Sequence, residues 1–200
     1  TAKLWLAATG ECTQTFEGHR YCVNSAVMCK SRDEVLTASS DRTAKLWKSA
    51  TGTCIQTLEG HLAALSSALY APGGEVVLSA SKDGTARLWS AQTGDCLRTL
   101  HKHLSALCAA VFSPDGQEVL TASDDGTARL WDAASGAHLR CFAGHAAGLR
   151  SASFSADGRE VLTASDDTTA RLWNAATGEV FVALEGHDRG VMAALLSRTG

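Results

Sequence analysis

Five tryptophans recur along the 200-residue chain at an interval of 42 residues. Histidines, serines and aspartates recur at the same interval, and each tryptophan ends a Thr-Ala-Lys/Arg-Leu-Trp segment. A single-copy domain has no reason to keep such a period, so the chain is an array of one structural unit. The recurring tryptophans are Trp5, Trp47, Trp89, Trp131 and Trp173.

The composition is that of a globular protein. Hydrophobic residues make up 45% of the chain and charged residues 20%, which supplies enough apolar surface for a buried core. The formal net charge of −3 gives no basic surface for nucleic acid or for an anionic membrane. No apolar run reaches the length of a membrane span. We therefore expect neither a nucleic-acid partner nor a membrane partner.

The seven cysteines do not follow a metal-binding or disulfide pattern. Their number is odd, and no two of them form a Cys-x-x-Cys pair. Cys12, Cys54 and Cys96 keep the 42-residue interval, which indicates a small apolar position at the start of a strand. Because reduced cysteines are typical of the cell interior, we expect an intracellular location, cytoplasmic in preference to nuclear. The cysteine pattern also leads us to expect no metal, and we expect no other cofactor.

One unit of the array is predicted to contain four short β-strands. Between Gly60 and Leu100, short runs rich in apolar and β-branched residues alternate with turn sequences such as 71–74 and 82–84. No segment keeps a helical period for long, which excludes a helical solenoid. Radial repetition of small sheets protects their edges. The sequence therefore predicts an all-β fold, a β-propeller of four-stranded antiparallel blades.

The period also predicts where each blade begins and ends. Val191 to Leu196 is expected to be the first strand of the final partial blade. A five-bladed ring closed from these segments would lack one strand, and unpaired backbone groups inside a sheet are costly. We therefore expect an excerpt of a larger ring, with a closed five-bladed ring as the alternative. The predicted segments are a partial blade at 1–16, complete blades at 17–58, 59–100, 101–142 and 143–184, and a partial blade at 185–200.

Recurring motifs give the chain a resemblance to a known family. Gly-His pairs, each followed by Ser-x-Asp and then by a strand ending in Trp, resemble the WD-repeat β-propeller family, whose units are about 40–45 residues long. Trp131 and Asp132 form the fullest copy of the Trp-Asp signature. The resemblance implies a ring of seven or eight blades. One departure, Lys102 in place of the glycine before His103, puts the backbone of that loop in question, because glycine tolerates positive φ and lysine does not.

The resemblance also implies a hydrogen-bonded network of His, Ser, Asp and Trp within each blade. Imidazole can donate from one nitrogen and accept at the other, whereas the indole nitrogen only donates, so these groups can satisfy one another. Repetition argues against a catalytic triad, because an active site is needed once. We therefore expect no catalytic, cofactor-binding or metal-binding residue. The expected network residues are His19, Ser39, Asp41, Trp47, His61, Ser81, Asp83, Trp89, His103, Ser123, Asp125, Trp131, His145, Ser165, Asp167 and Trp173.

Partners of such propellers are implied to dock on the rim where the His-containing loops emerge. We expect these partners to be other proteins, and no small-molecule ligand is expected. Arg150 is the first candidate contact, because arginine forms bidentate and stacking interactions. The candidate rim consists of Tyr21, Asn24, Lys82, Asp124, Arg150, Asp166 and Arg189.

Two functions agree with the sequence. The first hypothesis is a non-catalytic protein-interaction scaffold within a larger multiprotein assembly. The alternative is the sensor or regulatory repeat array of a larger signalling protein, whose catalytic ATPase or kinase domain lies outside this chain. Flanking sequence would separate them, because a Gly-x-x-x-x-Gly-Lys-Ser/Thr phosphate-binding segment upstream would favour the alternative.

Overall fold

The computed structural model of the chain describes residues 1–29 and 31–197. All regular structure in these residues is β-strand, and they contain no helix. Turn sequences rich in glycine separate the strands, as the sequence predicts. The strands are β1 (Ala2–Leu6), β2 (Glu11–Phe16), β3 (Val23–Cys29), β4 (Glu34–Ser39), β5 (Ala44–Lys48), β6 (Cys54–Leu58), β7 (Leu65–Tyr70), β8 (Val76–Ser81), β9 (Thr85–Ser90), β10 (Cys96–His101), β11 (Leu107–Phe112), β12 (Glu118–Ser123), β13 (Thr127–Asp132), β14 (His138–Ala143), β15 (Leu149–Phe154), β16 (Glu160–Ser165), β17 (Ala170–Asn174) and β18 (Val180–Leu184).

The strands form four successive four-stranded sheets and one two-stranded sheet. Each four-stranded sheet is a meander in which consecutive strands pair in antiparallel fashion: β3–β6, β7–β10, β11–β14 and β15–β18. We call these sheets the first to fourth blades. β1 pairs with β2 in the remaining sheet. The predicted all-β fold of four-stranded blades is confirmed. Among the described residues, no strand of the first sheet pairs with the last, so the sheets do not close into a ring.

The strand predicted at Val191 to Leu196 is absent. Residues 185–197 form no strand, and residues 198–200 of the predicted final partial blade lie outside the described residues. In each complete blade the first strand pairs with the second, whereas Val191 to Leu196 pairs with no strand in the described part of the chain. A backbone hydrogen bond of 2.8 Å, from the Val191 amide to the Ser165 carbonyl, connects this segment to the fourth blade. The prediction of a strand there is wrong.

The blades pack face to face around the tryptophans. The rings of Trp173 and Phe142, which belong to the fourth and third blades, lie 5.8 Å apart between centroids. The ring centroids of Trp47, in the first blade, and Phe16, in the two-stranded sheet, are 5.9 Å apart. Burying a large apolar side chain contributes about 1.5–3 kcal/mol. The core is therefore a series of apolar layers, each shared by two neighbouring sheets.

One tryptophan should respond to a quencher in solvent. Trp5 is 56% exposed, whereas the other four tryptophans are at most 2% exposed. Iodide should therefore quench only the component of the fluorescence that Trp5 contributes. The variant Trp5→Phe should lose that component and keep its melting temperature, because the side chain it replaces packs little. Strong quenching that persists in this variant would contradict the burial of the other four rings.

Candidate functional site

A polar cluster recurs in each four-stranded blade and joins four separate parts of it. The histidine lies in the loop before the first strand, a hydroxyl residue on the second strand, the aspartate in the following turn and the tryptophan on the third strand. In the third blade these residues are His103, Thr121, Asp125 and Trp131. The cluster therefore ties the loop and the turn to the middle of the sheet.

The hydrogen bonds of the cluster form one directed chain. The Trp131 indole Nε1 donates to the Thr121 hydroxyl at 2.9 Å, and this hydroxyl lies 2.8 Å from His103 Nε2. His103 Nδ1 lies 2.9 Å from Asp125 Oδ2. An ionised carboxylate only accepts, so Nδ1 donates to it and Nε2 accepts from the threonine. The three corresponding distances in the other blades lie between 2.7 and 2.9 Å.

The central hydroxyl is not that of the serine expected from the sequence. In the third blade, Ser123 accepts the backbone amide of Asp125 at 3.1 Å and donates to the Ser105 carbonyl at 3.2 Å. The serine therefore ties the turn to the histidine loop and contacts neither ring. Its equivalents bind the amide of their own aspartate in the same way: Ser39, Ser81 and Ser165. The central hydroxyls, two residues earlier, belong to Thr37, Ser79, Thr121 and Thr163.

A further threonine, which the sequence analysis missed, holds each aspartate. Thr127 donates its hydroxyl to Asp125 Oδ1 at 2.7 Å and its amide to the same atom at 3.0 Å, while the Leu104 amide donates to Oδ2 at 3.0 Å. The signal was present, because this threonine opens every Thr-Ala-Lys/Arg-Leu-Trp segment. The hydroxyl contact recurs at Thr43, Thr85 and Thr169.

Burial and hydrogen bonding oppose each other at the aspartates. Burial disfavours the charged carboxylate of Asp83, but hydrogen bonds from Thr85, from the Leu62 amide and from His61 outweigh it and lower its pKa to about 2. The corresponding contacts also lower the pKa of Asp125 to about 2. Burial lowers the pKa of all four network histidines, against the opposing effect of their aspartates. Each cluster therefore pairs an ionised aspartate with a neutral histidine at neutral pH.

Arg150, the first candidate contact on the rim, lies between two carboxylates where the third and fourth blades meet. Its Nε donates to Asp166 Oδ1 at 2.8 Å, its Nη1 donates to Asp124 Oδ1 at 3.0 Å, and its Nη2 pairs with Asp166 Oδ2. The hydrogen bonds to Asp166 raise the pKa of Arg150. The arginine therefore bridges two blades, and the group has one more carboxylate than guanidinium.

The other rim residues divide into two kinds. Asn24 joins two blades, because its Nδ2 donates to the Leu65 carbonyl at 2.7 Å and to the Ser40 hydroxyl at 3.0 Å. Ser66, the equivalent residue of the next blade, donates to the Leu107 carbonyl at 2.5 Å. The remaining rim side chains are exposed and form no hydrogen bond within the described part of the chain: Tyr21, Lys82 and Arg189.

The chain contains four matches to the family model described as "WD domain, G-beta repeat", at residues 10–48, 52–90, 94–132 and 136–174. These matches cover more than half of the chain, which therefore belongs to this family. Each match begins before the last strand of one sheet and ends with the third strand of the next, so 94–132 contains β10 to β13. WD repeats generally mediate protein–protein interaction and are typically not catalytic. No curated protein shows a significant match to the chain.

Residues 1–29 and 31–197 hold no group of three or more His, Cys, Asp or Glu side chains that could bind a metal ion. Within the same ranges, no helix is long and apolar enough to cross a membrane. The cysteines are all free thiols.

The variant Thr121→Val should destabilise the protein by about 1–3 kcal/mol, because the Trp131 indole N–H and His103 Nε2 would lose their shared partner while buried. Thr121→Ser should cost less, since Ser79 fills the equivalent place in the second blade. Urea titration would measure both effects. Hydrogen exchange measured by NMR should be faster for the Trp131 indole N–H in Thr121→Val, and unchanged in Thr121→Ser. Equal stability of the two variants would contradict a central role of this hydroxyl.

Stability should fall as the pH is lowered. The unfolded histidines titrate near their ordinary pKa of 6.5, whereas the folded ones have lower pKa values, so acid favours unfolding below pH 6.5. A second loss should begin below the ordinary aspartate pKa of 3.8, because Asp83 and Asp125 remain ionised in the folded state down to about 2. Urea midpoints measured from neutral to acidic pH would test this. A midpoint that stays constant or rises below pH 6.5 would contradict it.

Proposed function

We propose that this chain is a non-catalytic protein-interaction scaffold within a larger multiprotein assembly. Family membership supports the general role, since WD repeats mediate protein–protein interaction. The seven free thiols support an intracellular location, in which cysteines stay reduced. No observation on the described residues favours the alternative of a regulatory array.

The observation that carries the proposal is the burial of every histidine–aspartate pair. Each cluster has the connectivity of a nucleophilic triad, with a hydroxyl on one imidazole nitrogen and a carboxylate on the other. However, Thr121 is 0% exposed, and its hydroxyl already accepts the Trp131 indole N–H. The His103 side chain is 1% exposed. A nucleophile must reach its substrate, so these groups are suited to holding a blade together and not to catalysis.

The exposed rim residues are the proposed contacts for a partner. Tyr21 is 69% exposed, and Lys82 and Arg189 are also exposed. Tyrosine and arginine are, with tryptophan, the side chains enriched at the hot spots of protein interfaces. All three lie at the blade end where the histidine loops and the turns between second and third strands meet. The inter-blade hydrogen bonds of Asn24 and Arg150 would keep this surface rigid for binding.

The proposal is tested by combining Tyr21→Ala, Lys82→Ala and Arg189→Ala in the full-length protein. A matched control combines Lys48→Ala, Gln92→Ala and Arg159→Ala, which lie at the opposite ends of the strands and are also exposed. The rim variant should lose about tenfold or more in affinity for the co-purifying partners, since hot-spot truncations cost at least about 2 kcal/mol.

The control variant should keep both the partners and their affinities. Both variants should retain the melting temperature of the parent protein, which shows that the loss is one of binding and not of folding. Unchanged partner binding by the rim variant would contradict the proposed surface. Turnover of a substrate that Thr121→Val abolishes in a folded protein would contradict the scaffold role.

A further inference from the structure

The third blade departs from the repeat at two positions near one arginine. The residue before the network histidine is Lys102, where the other three blades have glycine. The first residue of the fourth strand is His138, where the equivalent residues are small and uncharged. Both departures introduce a basic side chain. The equivalent residues elsewhere are Gly18, Gly60 and Gly144 for the first position, and Cys54, Cys96 and Val180 for the second.

In the second and fourth blades, the third-strand arginine occupies the space beside this glycine. A Cβ atom at Gly60 would lie 2.6 Å from Arg87 Nη1, and one at Gly144 would lie 2.9 Å from Arg171 Nη1. The Arg87 guanidinium also lies over the ring of its own tryptophan, 5.8 Å from the centroid. In these two blades, the missing side chain of glycine therefore leaves room for the arginine guanidinium.

Lys102 has a side chain where the second and fourth blades have none. Lys102 is not among the described non-glycine residues with positive φ, so the loop forms with an ordinary backbone despite the missing glycine. The equivalent arginine, Arg129, places Nη1 3.4 Å from His138 Nε2. The imidazole in turn stands edge-on to Trp131, with 5.2 Å between the ring centroids.

The positive charges of Lys102 and Arg129 both act on His138. Burial lowers the pKa of His138 and the charges of Lys102 and Arg129 lower it further, against a smaller opposing effect of a hydrogen bond with the Arg140 backbone. The neutral imidazole can therefore accept from the arginine. Within the described residues, neither Lys102 nor Arg129 forms an ion pair. Two fixed positive charges thus act on the same imidazole, and neither has an ion-pair partner in the described part of the chain.

We propose that Lys102, Arg129 and His138 form a binding site for a phosphate monoester group, where the second blade leads into the third. A phosphate monoester has a charge of about −1.5 to −2 at neutral pH, which matches the two fixed positive charges. A carboxylate or a phosphodiester would leave one of them uncompensated. Arginine supplies forked N–H donors to phosphate oxygens, and lysine supplies a compact charge.

The comparison between blades supports a role in binding. A blade needs neither basic residue to fold, because the second blade has glycine and cysteine at the same positions and the same sheet topology. Like charges without a counter-ion destabilise the free protein, and a bound anion would relieve that repulsion. The site uses none of the rim residues named for the scaffold surface, so the two proposals are tested by different variants.

The test is an NMR titration of the 200-residue chain with O-phosphoserine. The Trp131 indole and the His138 ring should shift saturably, and added salt should weaken the binding. Lys102→Gly and His138→Cys each install the residue of a neighbouring blade, so both variants should fold. Lys102→Gly should bind about tenfold more weakly, as expected for the loss of one charge-assisted contact. His138→Cys should also bind more weakly, because Arg129 would lose the imidazole that holds its guanidinium in place. Lys48→Ser removes a positive charge elsewhere, again with a residue found in another blade, and should leave the affinity unchanged.

Further ligands distinguish the source of the phosphate. Tighter binding of a Gly-phosphoserine-Gly peptide than of O-phosphoserine would assign the site to a phosphorylated protein, and equal affinities would assign it to a small phosphate ester. Absence of saturable shifts, equal weakening by Lys48→Ser, or equal binding of a Gly-Asp-Gly peptide would overturn the proposal. None of these results would affect the rim experiment, so failure of this site and failure of the scaffold proposal are separable.

Discussion

The directed chain of hydrogen bonds from indole to carboxylate is the interaction on which each blade depends. A blade consists of four short strands, and its loop and turn would otherwise be held only at their ends. The cluster fixes both, because His103 belongs to the loop, Asp125 to the turn and Thr121 to the strand between them. Buried polar groups are costly when one partner is missing, so the four members stabilise the blade only as a complete set.

The tryptophan connects this internal network to the packing between blades. The Trp173 indole N–H donates to Thr163 within its own blade, while its ring packs on Phe142 of the preceding one. A single side chain therefore couples the polar network of one sheet to the apolar layer shared with its neighbour. Stability in such an array is a sum of unit terms and nearest-neighbour terms. The family matches reflect this coupling, since each contains strands of two adjacent sheets.

Sequence reasoning predicted the repeat and the strand content, because these depend on local pattern and on the 42-residue period. It chose the wrong hydroxyl, because Thr121 and Ser123 recur at the same interval and lie on one face of the same strand. What separates them is position relative to the turn. Ser123 is close enough to bind the nearby Asp125 amide, a local contact typical of serine, whereas Thr121 faces the third strand.

Other features could not be predicted because they depend on neighbouring blades. The bond from Asn24 to Leu65 joins residues that are 41 positions apart, and nothing in either local sequence signals it. The bridge from Arg150 to Asp124 and Asp166 likewise requires the relative position of two sheets. The absent strand at 191–196 shows the same limit, since its pattern matches the first strands of the other blades but no paired strand lies beside it.

Departures from the period are the most informative guide to function in a chain of this kind. A residue that recurs in every blade meets a need that every blade shares, whereas a residue found once meets a need of the whole molecule. Two unrepeated charged groups flank the third blade. The Arg150 group, with its surplus carboxylate, lies where this blade meets the fourth, and the basic group of Lys102 and Arg129 lies where it meets the second. Since the hydrogen-bonded network is the same in all four blades, this opposition of charge is what distinguishes the third blade from the others.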